Sequence, residues 1–318
     1  MTVWTLTPNP ALDFTYRIPT LSIGIPHRVE DTQVRAGGKG VNVSRVLAQI
    51  GKESTATGFL GGANGQRFSE LLAGLPESKL ITNKFAEFDN QTRMSIAVVE
   101  DDSDATVFNE SGDAPTDEEW ENLLKILREG LQPGDLLACS GSFPGKSSPD
   151  WMTKIVNTVH EAGARILVDA TGEVLVKACA AGADFVKPND LELKATTGLD
   201  DVCEGAATLL EQGVGIVITS EGENGMSIHG KDGSFRAKPA RFIEGNPTGA
   251  GDASVAAWCA FIDSEARDAL NAEDLKDGLP MAVALSGAAV ARPVAGEVDL
   301  ELYKEMLEEV EVVDMECR

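Results

Sequence analysis

The run Asn246-Pro247-Thr248-Gly249-Ala250-Gly251-Asp252 stands directly before an apolar stretch, Ala253-Ser254-Val255-Ala256-Ala257-Trp258, that reads as a helix. Small residues at a helix start leave backbone N–H groups uncovered, and those groups together with the helix dipole make a place for an anion. Two readings of Asp252 stand side by side. It is an acid favoured by the dipole at a helix start, or it is a general base beside an anion hole. A second run, Ala36-Gly37-Gly38-Lys39-Gly40-Val41-Asn42, also precedes a helix. Its glycines let a ligand approach the backbone, and Lys39 offers a point charge. The plainer reading is a glycine turn with a solvated lysine.

Two other runs fail as phosphate motifs. Ser140-Gly141-Ser142-Phe143-Pro144-Gly145-Lys146-Ser147 ends like a P-loop, but Ser140 stands where the first glycine belongs and Pro144 removes a loop N–H. Gly249 to Ser254 begins like a dinucleotide fingerprint, yet it closes on Ser254 and puts an acid where a pyrophosphate would lie. His27, His160 and His229 are scattered, with no H-E-x-x-H and no Cys/His spacing. That argues against a zinc enzyme and against a Ser-His-Asp hydrolase. His160 falls on a helix as a surface or packing residue.

Elements must hold these runs in place. Residues 3–7 read as a first strand stopped by Pro8 and Pro10, and residues 42–50 carry Val43, Val46, Leu47 and Ile50 at helical spacing before Gly51. A strand at 54–60 and a helix at 66–74 follow. At 116–130, Thr116 with Glu119 predicts a capping box, and Trp120, Leu123, Leu124 and Leu127 make an apolar stripe. Further strands are expected at 135–139, 165–169, 184–187 and 215–219, and helices at 149–162, 173–181, 189–197, 202–212 and 250–262. This alternation predicts a mostly parallel sheet with helices on both faces, whose ligands sit at the carboxyl ends of the strands. Ser140, Asp169, Lys187-Pro188-Asn189 and Ser220 all fall at such ends. Residues 12–35 and 91–109 break the rhythm, alternating as strands without a helix between them. They are expected to pair as a small sheet beside the main domain, the alternative being an antiparallel extension of its edge.

The 318 residues are 42% apolar and 25% charged, which excludes intrinsic disorder and a small disulfide scaffold and suits one large α/β domain. Lys and Arg number 27 against 51 Asp and Glu, a net charge of −24. Such a field disfavours nucleic acid and anionic membrane as partners, and an anionic substrate needs a local basic pocket. The acidity reads as solubility or as adaptation to a salty cytoplasm, where screening relieves self-repulsion. Five cysteines without a C-x-x-C pair point away from a disulfide framework and toward a reducing compartment. The start, MTVWTLTPNP, lacks the basic and apolar regions of a signal peptide, and no run reaches the ~18 apolar residues of a membrane helix. A cytoplasmic location is expected.

In this order and separation, the two glycine runs resemble the signatures of the PfkB, or ribokinase-like, sugar kinase family. The likeness spans nearly the whole chain. It includes Thr7-Pro8-Asn9-Pro10-Ala11-Leu12-Asp13, Gly37 to Ser44, Gly58-Phe59-Leu60-Gly61-Gly62, Thr92-Arg93 and Asn109-Glu110-Ser111-Gly112. It continues with Ser140-Gly141-Ser142, Lys187-Pro188-Asn189-Asp190-Leu191-Glu192 and Asn246 to Asp252. Two departures stand out. The family's S-G-S-L-P-P-G loses its second proline in Ser140 to Lys146, and Pro247 replaces a more usual Ser, Thr or Val. The resemblance implies one ribokinase-like, three-layer α/β/α domain over 1–318, with a mostly parallel central sheet and a small β lid formed by about 12–35 and 91–110.

The resemblance also implies transfer of the γ-phosphoryl group of ATP to a sugar hydroxyl. Asp252 is then the catalytic base, and Gly249, Ala250 and Gly251 form the anion hole. Asp13 is expected to bond sugar hydroxyls, with Gly37, Gly38 and Asn42 lining the sugar site and Ser140 touching the sugar. Lys39 and Arg93 are expected to grip a phosphate already on the substrate. Arg28 is a third contact or a residue of the lid surface. Asn189 and Glu192 are expected to organise Mg2+ through water, the alternative being a helix cap with a surface glutamate. Lys187 is expected near the ATP phosphates, with Ser220, Gly222 and Gly225 lining the ATP site. Residues 284–288 are an adenine wall or a core helix of small residues. The lid implies a homodimer.

Within the family the likeness is to kinases of phosphorylated ketoses. The expected reaction is phosphorylation of fructose 1-phosphate at its 6-hydroxyl, giving fructose 1,6-bisphosphate. The same chemistry on fructose 6-phosphate or tagatose 6-phosphate through the 1-hydroxyl is the near alternative. A non-catalytic sugar-phosphate sensor is the distant one, since it would be expected to lose the base or the anion hole.

Overall fold

Apolar side chains alternate along the central strands, and the alternation sorts them onto two faces. A computed structural model of the chain describes residues 2–100, 105–265, 270–315 and 317. Its strands are β1 (Val3–Thr7), β2 (Ala11–Ile18), β3 (Asp31–Gly37), β4 (Ser54–Leu60), β5 (Ile81–Asn83), β6 (Ala86–Glu87), β7 (Arg93–Glu100), β8 (Thr106–Asn109), β9 (Leu136–Ser140), β10 (Arg165–Asp169), β11 (Phe185–Val186), β12 (Ile216–Ser220), β13 (Met226–Gly230), β14 (Gly233–Lys238) and β15 (Glu311–Asp314). The large sheet runs β15-β14-β13-β12-β11-β10-β9-β1-β4-β5, with β6 beside β4. Pairing is parallel from β5 through β12 and antiparallel from β12 to β15.

Val3, Leu136, Leu167, Ile216 and Ile218 face one layer, against the helices Lys39–Gln49, Ala250–Ser264 and Leu279–Val290. Trp4, Leu137, Ile166, Val168 and Val217 face the other, against Asp117–Gly130, Asp150–Glu161, Gly172–Ala180 and Val202–Gln212. The period of two along each strand therefore builds a helix–sheet–helix sandwich. Thr116 and Glu119 form the capping box their spacing predicts.

Some boundaries move. The helix expected at 66–74 is Gly62–Ala73. Its early turn is pinned by tertiary contacts, with Gly61 N–H donating to Thr92 Oγ1 at 3.0 Å and Asn64 Nδ2 donating to the Thr92 carbonyl at 2.8 Å. The strand expected at 184–187 keeps two residues, Phe185–Val186, because Pro188 ends the ladder.

A second sheet, in the order β3-β2-β7-β8, stands apart from the large one. Its central pair, β2 with β7, is parallel, and its outer pairs are antiparallel. Residues 101–104 of the 91–110 stretch lie outside the described residues.

One expectation is overturned. Cys203 and Cys317, separated by 114 positions, are joined in a disulfide. Spacing rules look for neighbours along the chain, whereas here β15 returns along β14 and carries Cys317 to the start of the helix Val202–Gln212. Cys139, Cys179 and Cys259 are buried free thiols. Among the described residues, no helix is long and apolar enough to cross a membrane.

Candidate active site

The sheet reverses its order of build-up at β1, which has β4 on one side and β9 on the other. Such a switch point leaves a crevice beyond the carboxyl ends of the strands. Here it is a cavity of about 810 Å³. Thr7 from β1, Gly141 after β9, Asp169 from β10, Lys187 after β11 and Ser220 from β12 line its floor. The small sheet adds Asp13, Arg93 and Asn109, and the helix Ala250–Ser264 adds Gly251 and Asp252.

Asp252 sits in the first turn of that helix, 6% exposed. Asn42 Nδ2 donates to Asp252 Oδ2 at 2.8 Å, which fixes the carboxylate. Burial, and then the neighbouring Asp169 carboxylate, push the Asp252 pKa up to about 7, while the Asn42 bond and the charges of Lys39 and Lys187 pull against them. The group is therefore poised to take a proton near neutral pH. Gly249, the residue before the helix, has φ +91°, and a Cβ there would lie 2.7 Å from Ala295 Cα. Among the described residues the amides of Gly249, Gly251 and Asp252 have no acceptor. The Ala250 amide is already bonded to the Pro247 carbonyl at 3.2 Å, and Ala250 does not line the cavity.

Charges of both signs face each other here. Lys39 Nζ lies 3.4 Å from Asp169 Oδ2, and that acid is the chief cause of the raised Lys39 pKa. Lys187 is buried in the same wall. Burial pushes the Asp13 pKa up to about 6, with Arg93, then Arg45 and Arg35, holding it back. Gly37 is absent from the cavity wall, but a Cβ on it would meet the Asp13 carboxylate at 1.9 Å. Its role is to make room. Arg93 is anchored by Nε to the Asn9 carbonyl at 3.2 Å and by Nη1 to the Glu110 carbonyl at 3.1 Å, leaving other donors for an anion in the cavity.

Asn189 and Glu192 form a reciprocal capping box, with Glu192 N–H to Asn189 Oδ1 at 2.7 Å and Asn189 N–H to Glu192 Oε2 at 2.9 Å. Both also line the cavity, as do Gly38, Lys39 and Asn42. Other expected residues lie elsewhere. Arg28 is exposed on the β2–β3 connection and does not line the cavity. Ser140 is fully buried and Gly141 and Ser142 take its place in the wall. Gly222 and Gly225 shape the turn between β12 and β13 without reaching the cavity. Leu285 and Ala288 pack into the core, whereas Ser286 and Gly287 are half-buried. Gly145 stands where the second proline is missing, and Lys146, at the place of the motif's closing glycine, takes φ +68°, the one non-glycine residue with positive φ among those described.

Sequence reasoning gave no role to Asp169 and did not foresee that Asn42 would hold Asp252. The position of Asp169 at a strand end was the available signal.

A model of the pfkB family of carbohydrate kinases matches residues 5–301. The chain belongs to this family. This PfkB chain is 32% identical to 1-phosphofructokinase of Escherichia coli K12 over 319 aligned positions, covering 98% of the chain and 97% of that protein. Its structure matches phosphofructokinase-2 from Escherichia coli in complex with fructose-6-phosphate with a TM-score of 0.85 at 26% identity, over 97% and 98% of the two chains. A ribokinase of Arabidopsis thaliana complexed with ribose and ATP matches with a TM-score of 0.68 at 19% identity, over 96% and 98%, a likeness of fold alone. The fold of the PfkB chain is ribokinase-like α/β, and the protein is an ATP-dependent sugar-phosphate kinase.

Proposed function

We propose that the protein transfers the γ-phosphoryl group of ATP to the 6-hydroxyl of fructose 1-phosphate, giving fructose 1,6-bisphosphate. The observation that carries this reading is Asp252, a buried carboxylate held by Asn42 at 2.8 Å at the head of a helix where, among the described residues, the amides of Gly249, Gly251 and Asp252 have no acceptor. Asp252 accepts the proton of the attacking hydroxyl and keeps its oxygen aimed at the γ-phosphorus. The amides of Gly249 and Gly251, with that of Asp252 itself, receive the charge that develops on the transferring group. Lys39 and Lys187 add fixed positive charge, and Asp13 holds sugar hydroxyls. Arg93 takes the phosphate already on the sugar. The 32% identity to a 1-phosphofructokinase supports fructose 1-phosphate as that sugar.

The donor set fits a hard divalent cation. Asp169 and Glu192 bring carboxylate oxygens to the cavity wall, and Asn189 brings its amide group. These residues would hold Mg2+, partly through water. The ion supplies charge neutralisation to the ATP phosphates when bound.

The small sheet serves as the lid, since it carries Asp13, Arg93 and Asn109 over the cavity. Its edge strand β8 exposes Val107 and Phe108, and two chains pair through this face as a homodimer. Light scattering should give twice the chain mass, and Phe108→Glu should halve it.

A coupled ADP-release assay with Mg·ATP tests the reaction. Fructose 1-phosphate, fructose 6-phosphate, tagatose 6-phosphate and fructose are compared at low and molar KCl. The highest kcat/KM is expected for fructose 1-phosphate. The likeness to a phosphofructokinase solved with fructose-6-phosphate gives the second reading. Dominant turnover of a 6-phosphate would overturn the first and reverse the sugar in the cavity.

A further inference from the structure

A sulfur and imidazole cluster lies at the antiparallel end of the large sheet, and none of its residues lines the reacting cavity. Cys203 is in the first turn of the helix Val202–Gln212, His229 is on β13, and Cys317 follows β15. One ligand atom from each lies within 4.8 Å of the other two. The two cysteines are joined, and Cys317 Sγ is 3.6 Å from His229 Nδ1.

The neighbours of His229 decide which nitrogen carries its proton. Glu221 is paired with Arg236 and accepts a hydrogen bond from Ser227 Oγ at 2.8 Å. That commits the one hydroxyl hydrogen of Ser227, so Ser227 Oγ accepts from His229 Nε2–H at 3.0 Å. With its proton on Nε2, the ring turns the lone pair of Nδ1 toward the two cysteines. Ser234 Oγ donates to Nδ1 at 3.0 Å and Cys317 Sγ lies 3.6 Å from it, so a cation bound at Nδ1 takes the place of the Ser234 hydrogen bond. Metal-bound histidines are held in this way, with the far nitrogen tied to a hydrogen-bonded acceptor that ends on a carboxylate.

We propose that Cys203, Cys317 and His229 form a site for a thiophilic divalent cation of the Zn2+ class in the reduced protein, with the disulfide as its oxidised, closed form. Tetrahedral bonding at about 2.3 Å to sulfur and about 2.0 Å to nitrogen sets a nitrogen–sulfur edge of about 3.5 Å, close to the 3.6 Å between His229 Nδ1 and Cys317 Sγ. The two sulfurs must part to about 3.8 Å for the same geometry. Opening requires a dithiol. Its two thiols become a disulfide as the Cys203–Cys317 bond breaks, and each cysteine leaves with one electron and one proton. Binding the cation then releases both cysteine protons. Water completes the coordination. The other three cysteines are enclosed and do not compete, since burial pushes their thiols up, Cys179 to about 12.

The test uses the full chain, reduced without oxygen and titrated with Co2+ as a spectroscopic probe and then with Zn2+. One equivalent of Co2+ per chain should give thiolate-to-cobalt charge-transfer absorption, and Zn2+ should displace it. The band should be absent from the oxidised protein and from Cys203→Ser. His229→Gln should weaken Co2+ at least tenfold. No band in the reduced chain, a band that survives in the Cys203→Ser, Cys317→Ser double variant, or an unchanged affinity in His229→Gln overturns the site. A second measurement needs no variant. Zn2+, but not Mg2+, should slow alkylation of reduced Cys203 and Cys317 at least tenfold, and equal labelling with and without Zn2+ overturns the proposal.

Discussion

The helices Asp190–Thr197 and Ala250–Ser264 both begin at the wall of the reacting cavity, and they end their N-termini in opposite ways. Asp190–Thr197 is closed by its own side chains, with Asn189 and Glu192 each accepting from the other's amide. Ala250–Ser264 has a glycine at its cap and no side-chain cap bond. A cap contributes about 1 kcal/mol to a helix, so the second helix forgoes stability that the first one takes. It also keeps a carboxylate, Asp252, buried at the uncapped end. The proposed anion hole, which would receive charge only while a phosphoryl group moves, cannot satisfy its donors beforehand. The capped helix instead offers fixed oxygen and amide groups, which suit a resident cation better than a moving anion.

The largest effect expected from breaking the uncapped end is that of Asp252→Asn. It should lower kcat by about 10³-fold with ATP binding retained. The same substitution should stabilise the fold at alkaline pH. The folded Asp252 pKa, about 7, lies above its ordinary 3.8. The folded chain therefore keeps a proton that the unfolded chain has already released, and the group's contribution falls as pH rises through that window. Asp252→Asn should melt higher than the parent at pH 8, and by a smaller margin at pH 5. Turnover of the parent should fall as pH drops below about 7, and a flat profile there would assign the base elsewhere.

Gly249→Ala comes next. Its Cβ would meet Ala295 Cα at 2.7 Å with φ at +91°, so the loop must shift and the amides lose their aim. About a 10²-fold loss in kcat is expected. Steady-state kinetics with kcat near the parent value would mean that these amides do not receive the charge.

The two helix starts were not equally legible. Asn189 and Glu192 stand three residues apart, so their box can be read from spacing. The hold on Asp252 cannot, because Asn42 lies 210 positions away. The Lys39–Asp169 pair spans 130 positions and was hidden for the same reason. Strands such as Val3–Thr7 and Arg165–Asp169 were legible through period and proline or glycine stops. The hairpin β13–β14 and the returning β15 were not, and with them went the Cys203–Cys317 pairing. Arg28 carried the right chemistry in sequence but sits on an exposed connection.

Arg93→Ala sharpens the contrast between anion-receiving and cation-holding walls. Its guanidinium is anchored on two main-chain carbonyls at the small-sheet side of the cavity. KM for the phosphosugar should rise by about tenfold or more, as expected for a lost charge-assisted bond, with KM for ATP little changed. Equal effects on both substrates would move Arg93 out of the sugar-phosphate role.

The smallest effects should come from the capped helix, where stability and cation binding can be separated. Asn189→Ala removes the Oδ1 acceptor of the Glu192 amide and should cost about 1 kcal/mol in a denaturation experiment. It should also raise KM for Mg·ATP severalfold if Asn189 helps organise the cation. Asn189→Ser restores a cap oxygen but not the amide group, so it should recover the stability and leave the Mg·ATP defect. Recovery of both would reduce Asn189 to a helix cap, and the cation would then rest on Asp169 and Glu192, whose carboxylates face the same cavity.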